Sequence, residues 1–390
     1  MHIGVDATCW QNRRGYGRHA RSLLSALVRL DTSNHYTFCL DSTLDIESLP
    51  CQAGVKLVRT GMPTVQAAAF NGHRSFHDLW RLSRALSASE FDVVLFPTVY
   101  SFVPLRSHAR KIVMIHDAIA ETFPKWNQPS RLGRLFWRAK NVMGRWQADE
   151  IVTVSEYSRR TLVERLNLPA SRVAVVGEAA DPVFRVLDNP QPTPCLKELG
   201  LDRDSRQIVY VGGFAPHKNV KTLVEAFAAV AARPGLADLK LVLVGEHLNE
   251  VFYSESAALK RHIQERGLEN RVIFTGFLPD AELVVLLNLA TVFVLPSLME
   301  GFGLPAVEAA ACGCPVIVTN ASPLPALLGD GAIHFNPYRL RELTEALDRV
   351  LTDEPLRQSL GARAHTAAAA LTWDAAARQL QEIITRKDAV

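Results

Sequence analysis

The chain has 390 residues, 48% of them hydrophobic and 21% charged, with a formal net charge of +3. That length exceeds what one hydrophobic core usually serves, so two domains are expected. The composition excludes a disordered, collagen-like or disulfide-stapled chain.

The charge is unevenly spread. Residues 1–185 carry 24 Lys+Arg against 16 Asp+Glu, and residues 186–390 carry 19 against 24. A basic first half suggests an anionic partner or surface; a nucleic-acid partner is not expected. The six cysteines, at 9, 39, 51, 195, 312 and 314, form no C-x-x-C pair and read as reduced residues filling small spaces. The opening MHIGVDATCW enters a strand pattern at once, without the basic and apolar regions of a signal peptide. The longest apolar window, LVVLLNLATVFVLPSL at 283–298, is interrupted by Asn288, Thr291 and Pro296 and divides better into a buried helix and a buried strand. A cytoplasmic location is expected, with the inner face of the cytoplasmic membrane as the peripheral alternative.

Short Val/Ile-rich runs recur along the chain: HIGVDA, YTFCL, VKLVR, DVVLF, KIVMI, EIVTV and RVAVV, then QIVYVG, LKLVLVG, RVIFTG, TVFVLP, PVIVT and AIHF. Runs this continuous are buried on both faces, the mark of parallel sheet covered by helices. Helical patterns such as HARSLLSALVRL, VKTLVEAFAAV and PAVEAAAC fall between them. The βαβ alternation is carried out twice. DPVFRVLDNPQPTPCLKEL, with prolines at 182, 190, 192 and 194, reads as the join. The expected fold is α/β: two Rossmann-like doubly wound domains, 1–185 and 186–370, facing across a cleft. Residues 371–390 form a terminal packing helix with the N-terminal domain as its candidate partner. Ligands of such sheets bind beyond the carboxyl ends of the strands.

The residues just past each strand end are therefore the candidates for chemistry. After the first strand, Gly15-Tyr16-Gly17-Arg18-His19-Ala20 matches G-x-G-x-x-A, and Asp41 could pass for a ribose-binding acid, so an NAD-dependent oxidoreductase is one reading. That fingerprint wants its first glycine in the tight turn directly after the strand. Here about eight residues intervene, including Arg13 and Arg14, which suits an anion or an acceptor better. His116-Asp117 ends KIVMI, where an imidazole can donate to a sugar hydroxyl or polarise an acceptor; a solvated strand end is the plain alternative.

QIVYVGGFAPHKN is strand, glycine turn and helix start. Gly212 and Gly213 let the backbone approach a ligand. His217, Lys218 and Asn219 sit where free N–H groups and the helix dipole attract phosphate, and Lys218 adds a point charge for a diphosphate. An ordinary βα turn with a surface lysine is the plain alternative. Gly245, closing LKLVLVG, lies at the next strand end.

MEGFGLPAVEAAACGCPV, 299–316, sets Glu300 just past a strand and Glu308 in a small-residue helix. Gly301 and Gly303 free the turn, and Pro305 suits the first helical position. Helical side chains lean toward the N-terminus, so Glu308 is expected to point to the same corner as Glu300. Two carboxylates with exposed amides suit a nucleotide sugar: amides for the phosphates, a carboxylate for the ribose diol. Paired-carboxylate glycoside hydrolysis is the rival chemistry, but it needs no diphosphate cradle. Residues 131–146, RLGRLFWRAKNVMGRW, mix five basic residues with Leu, Phe, Trp and Met. An anionic membrane surface is a candidate partner for them, against a core-facing helix with a basic solvent face.

Glu300…Glu308 in EGFGLPAVE, VGGFAPHKN, the RGYG loop, His116-Asp117 and VTVSEYSRR together resemble the retaining GT-B glycosyltransferases of family 4, over nearly the whole chain. The resemblance implies a C-terminal domain that binds a nucleotide sugar and an N-terminal domain that binds a lipid-linked or oligosaccharide acceptor. It implies that Glu300 lies by the donor sugar, that the backbone of Gly301, Phe302, Gly303 and Leu304 lies near sugar and diphosphate, and that Glu308 holds the ribose. Gly212, Gly213, His217 and Gly245 join them around the donor, and Lys218 neutralises the diphosphate. His116 and the loop of Gly15, Tyr16 and Gly17, with Asp117, face sugar and acceptor. His116, Lys218 and Glu300 are the catalytic candidates. No cofactor and no metal is implied, since fixed positive groups stabilise the leaving diphosphate. One departure matters: many members place an arginine where this chain has Gly213. His217, Arg13 or Arg14 would then substitute, or Lys218 and amides carry more of the load. The VGG-with-P-x-KN variant is similar to bacterial mannosyl- and rhamnosyltransferases of surface polysaccharide assembly, which makes GDP-mannose the lead donor. A non-catalytic nucleotide-sugar-binding protein of the same fold is the alternative.

Overall fold

The computed structural model describes residues 1–12, 15–41, 48–59, 75–88, 90–127, 131–246 and 254–386. Every Val/Ile-rich run named above contains a strand. The first seven are β1 (His2–Asp6), β2 (His35–Asp41), β3 (Gly54–Val58), β4 (Val93–Phe96), β5 (Arg110–Met114), β6 (Glu150–Thr153) and β7 (Val173–Val175). The remainder are β8 (Gln207–Val211), β9 (Lys240–Val244), β10 (Val272–Gly276), β11 (Val292–Leu295), β12 (Val316–Thr319) and β13 (Ala332–Phe335).

β1–β7 form one parallel sheet in the order β3-β2-β1-β4-β5-β6-β7, and β8–β13 a second in the order β10-β9-β8-β11-β12-β13. Both are doubly wound. Each reverses direction beside its first strand, at β1/β4 and at β8/β11. The central strands β4, β6, β11 and β12 are buried throughout. β3 departs from that pattern because it is a sheet edge, leaving Val55 and Leu57 40% and 51% exposed.

The chain divides into two compact units, Met1–Glu178 with Thr372–Val390, and Ala179–Leu371. The proline-rich stretch 181–199, read as the join, lies wholly within the second unit. The apolar window at 283–298 divides into the helix Asp280–Leu289 and β11, and no described helix is long and apolar enough to cross a membrane. All six cysteines are free, and Cys51 and Cys195 are exposed.

The last helix, Trp373–Thr385, completes the first unit. Thr372 caps it by accepting from Ala375 N at 3.1 Å. Its buried face, including Trp373, Ala377, Leu380 and Ile384, packs on the helix Gly15–Leu30. Arg110 of β5 donates to the carbonyls of Ile383 (2.7 Å) and Arg386 (3.1 Å), satisfying the helix C-terminus. Truncating fully buried Leu380 to alanine is expected to cost about 2–5 kcal/mol. All six tryptophans, at 10, 80, 126, 137, 146 and 373, belong to the first unit. Tryptophan fluorescence in urea therefore reads that unit, and an unchanged midpoint in Leu380→Ala would contradict the assigned packing.

Candidate functional site

Because β8 and β11 are neighbours, the loops that follow them leave the second sheet side by side. The turn after β8 is pinned from beneath. Gly212 N donates to Val244 O at 2.9 Å and Gly245 N to Gly276 O at 3.0 Å. A Cβ on Gly245 would meet Gly212 O at 2.0 Å, so only glycine permits that approach. Buried Tyr210 donates its hydroxyl to Gly213 O at 2.6 Å, whereas a Cβ on Gly213 itself would meet open space.

Asn219 then takes the left-handed conformation (φ 55°) and opens the helix Val220–Ala231. Its Nδ2 donates to Pro296 O and Pro337 O, each at 3.0 Å, and its Oδ1 accepts from Thr222 Oγ1 at 2.7 Å. One side chain thus ties the β8 turn to the segments after β11 and β13. Leu298 N donates to His217 O at 2.7 Å and joins the two loops directly.

Inside this corner Lys218 Nζ donates to Glu300 Oε1 at 2.7 Å, and fully buried Ser297 donates to the same oxygen at 2.5 Å. The Lys218 side chain is 23% exposed and that of Glu300 9%. Glu300 N donates to Ala321 O at 3.2 Å. Gly303 sits at φ 92°, where a Cβ would also strike Leu324 at 2.8 Å. The chain then enters the helix Leu304–Ala311, with Pro305 as its second rather than its first residue. Glu308 is buried on that helix, and after burial itself its charge raises the Cys312 thiol, to about 12. Phe302 and Leu304 are also buried.

Burial, and next the Lys218 charge, push the His217 imidazole down to about 3, which disfavours it as a cation in place of the arginine absent at Gly213. Arg13 and Arg14, the other substitutes considered, lie outside the described residues.

In the first unit, Gly15 opens the helix Gly15–Leu30, and Gly17 lies within its first turn, where a Cβ would meet Asn12 O at 2.0 Å. Gly17 therefore serves helix-to-loop packing, a Cβ on Gly15 would meet open space, and neither glycine forms a tight turn after β1. Tyr16 accepts from Asn12 Nδ2 and stacks on Tyr100, with centroids 5.4 Å apart. His116 follows β5, its carbonyl accepting from Thr153 Oγ1 at 3.3 Å and its Nε2 lying 3.0 Å from His19 Nδ1. Asp117 Oδ1 accepts from Ile119 N at 2.8 Å at the start of the helix Ile119–Thr122. Sequence reasoning missed Ser297, the bridging role of Asn219 and the His19 contact. An asparagine just before the helical pattern VKTLVEAFAAV was the one signal available.

Residues 13–183 match the model for Glycosyltransferase Family 4, and residues 196–367 that for Glycosyl transferases group 1. The chain belongs to the family 4 glycosyltransferases. Among relatives of the family, the serotype-specific mannosyltransferase WbdA of Escherichia coli is 25% identical over 421 residues, covering 99% of this chain and 48% of the other. O-antigen chain mannosyltransferase B of Escherichia coli is 26% identical over 265 residues, covering 68% of this chain and 67% of the other. The chain thus spans about half the length of WbdA. Sucrose-phosphate synthase from Thermosynechococcus elongatus superposes with a TM-score of 0.76 at 20% identity, over 98% of both chains, which shows the GT-B fold. The family and fold implied by EGFGLPAVEA and its companion motifs are borne out.

Two half-buried histidines make stability pH-dependent. Burial pushes His116 down to about 4 and His217 to about 3, below the ordinary value near ~6.5. Between those values the unfolded chain binds more protons than the folded one. Their contribution is therefore intact above pH ~6.5 and lost as pH falls toward about 4. Replacing His217 with glutamine is expected to flatten the fall of melting temperature over that window; a curve parallel to wild type would contradict its half-buried, neutral state.

Proposed function

We propose that the chain moves a hexose, with mannose from GDP-mannose as the lead donor, onto a lipid-linked or glycan acceptor, with retention of configuration and without a metal or cofactor. The observation that carries this reading is the Lys218–Glu300 pair at the switch point of the second sheet. Two relatives named as mannosyltransferases support the choice of sugar.

In this reading Lys218, held in one position by Glu300, meets the diphosphate and stabilises it as it leaves. Glu300 takes sugar hydroxyls, Glu308 the ribose diol, and the amides from Gly301 to Leu304, with Gly212, Gly213 and Gly245, line the phosphate path. The attacking hydroxyl approaches the face the phosphate departs from, and a phosphate oxygen takes its proton. On the first unit, His116 meets an acceptor hydroxyl, with Tyr16 beside it.

The surface of the first unit favours a lipid-linked acceptor at an anionic membrane. The helix Arg131–Gln147 leaves Leu132, Leu135, Phe136 and Trp146 between 62% and 78% exposed, among basic Arg131, Arg134 and Arg138. A groove of about 2010 Å³ beside it is lined by Trp80, Phe102, Phe136 and Met143 together with Arg84 and Lys140.

A second reading, binding of a nucleotide sugar without transfer, is favoured by Gly213 and the neutral His217. An oxidoreductase is disfavoured because Gly15 and Gly17 lie on a helix and not in the turn after β1.

A panel of nucleotide sugars scored by nucleotide release tests the proposal. Release from GDP-mannose in the presence of a polyprenyl-linked glycan is expected; tight binding with no release from any donor would favour the second reading. Lys218→Ala and Glu300→Ala are each expected to cut transfer by roughly 100-fold or more, with melting temperature followed because each also breaks a buried pair. Since a side chain at Gly213 meets open space, Gly213→Arg should fold normally and tighten GDP about 10-fold, a charge-assisted contact. Unchanged GDP affinity would place the diphosphate elsewhere.

A further inference from the structure

His19 is fully buried on the first helix. Its ring stands edge-on to His116 (centroids 4.7 Å apart, planes at 86°), with Trp373 at 5.7 Å on another side. Nδ1 faces His116 Nε2 at 3.0 Å. The opposite nitrogen, Nε2, is buried without a hydrogen bond, and the Glu178 carboxylate lies 3.8 Å from it. Glu178 is itself 7% exposed. Helix start, β5 end and the segment after β7 thus contribute one residue each to a chain His116–His19–Glu178.

Both imidazoles are neutral, because burial lowers both. Each therefore carries one hydrogen, and only one can lie between them. If His19 donated from Nδ1, its Nε2 lone pair would face a buried carboxylate. If His116 donates instead, His19 carries its hydrogen on Nε2, toward that carboxylate. The negative charge selects the second arrangement, as a carboxylate behind a histidine commonly fixes its tautomer. No hydrogen bond reaches Nδ1 of His116 among the described residues.

We infer that Glu178 and His19 are positioning residues that hold His116 with its hydrogen on Nε2, so that it meets a ligand hydroxyl as a hydrogen-bond acceptor through Nδ1. The hydroxyl belongs to the glycan acceptor, and in that respect the inference rests on the transferase reading. His19, His116 and Glu178 also offer one ligand atom each within 4.8 Å of one another, so metal binding is the competing outcome of the test below. The contacts favour the hydrogen-bonded chain: His19 turns Nδ1 to His116 and Nε2 toward Glu178.

The test uses the full chain labelled with 15N-histidine, with His116 assigned from the spectrum of His116→Asn. Long-range 1H–15N correlation at pH 7.5 should show His116 protonated on Nε2 in wild type, and a mixture of tautomers in Glu178→Gln. In steady-state transfer, His19→Phe should lower kcat by roughly 10- to 100-fold with little change in donor KM, as misplacement of a reacting group does. His19→Asn, whose oxygen can accept where Nδ1 now stands, should restore most of it. His116 protonated on Nδ1 in wild type, or His19→Asn no better than His19→Phe, would overturn the inference; so would one zinc per chain that is lost in His19→Phe. If His19→Phe does not fold, the spectra of wild type and Glu178→Gln decide. Absence of transfer from every donor would remove the transferase reading while the tautomer result still judged the histidine chain.

Discussion

The arrangement of the second unit turns on one ion pair, Lys218 with Glu300. A carboxylate this buried is costly unless a positive group and a further donor satisfy it, and Lys218 and Ser297 do so on the same oxygen. The pair exists only because the strand order sets β8 beside β11, and because Asn219 and the Leu298–His217 bond hold the two loops in register. The glycines at 245 and 303 follow from the same demand: each lets backbone pass where a side chain would collide. Preorganisation of this kind places charge before a ligand arrives, so little reorganisation remains for the reaction itself.

The pairing also changes what Lys218 is. A lysine at a helix start reads as a free cation awaiting an anion. In the structure its charge is already engaged, and a diphosphate would share it with Glu300. Lys218 and Glu300 therefore act as a unit, and their separate contributions will not add. The lowered His217 imidazole sharpens the point, since Lys218 is then the charged group of this turn.

Much of this was legible in the sequence because parallel strands buried on both faces leave continuous Val/Ile runs, and strand ends in such sheets announce where ligands bind. KIVMI, QIVYVG and TVFVLP carried the positions of His116, Lys218 and Glu300 in that way. What stayed hidden depends on contacts between segments far apart in the chain. Nothing local in GYGRHA says that His19 meets His116, 97 positions away, and nothing local in LPSLME says that Ser297 serves Glu300. The boundary between units was misplaced for a related reason. Prolines at 182–194 mark an irregular path, but Leu187 N bonds Asn288 Oδ1 at 2.8 Å and Thr193 bonds Glu282, so that path is fastened to the second unit. The helix Arg131–Gln147 shows the limit of periodicity: an amphipathic pattern cannot say whether its apolar side is covered, and here that side is exposed.

Hydrogen exchange with and without ligand tests the central claim most directly, since amides that meet a ligand are protected from opening. Saturating GDP is expected to slow exchange in peptides covering residues 212–219 and 296–308, while NAD leaves them unchanged. Protection by NAD in the first unit, with no effect of GDP, UDP or dTDP on those two segments, would contradict the assignment of the Lys218–Glu300 corner as a nucleotide-sugar site.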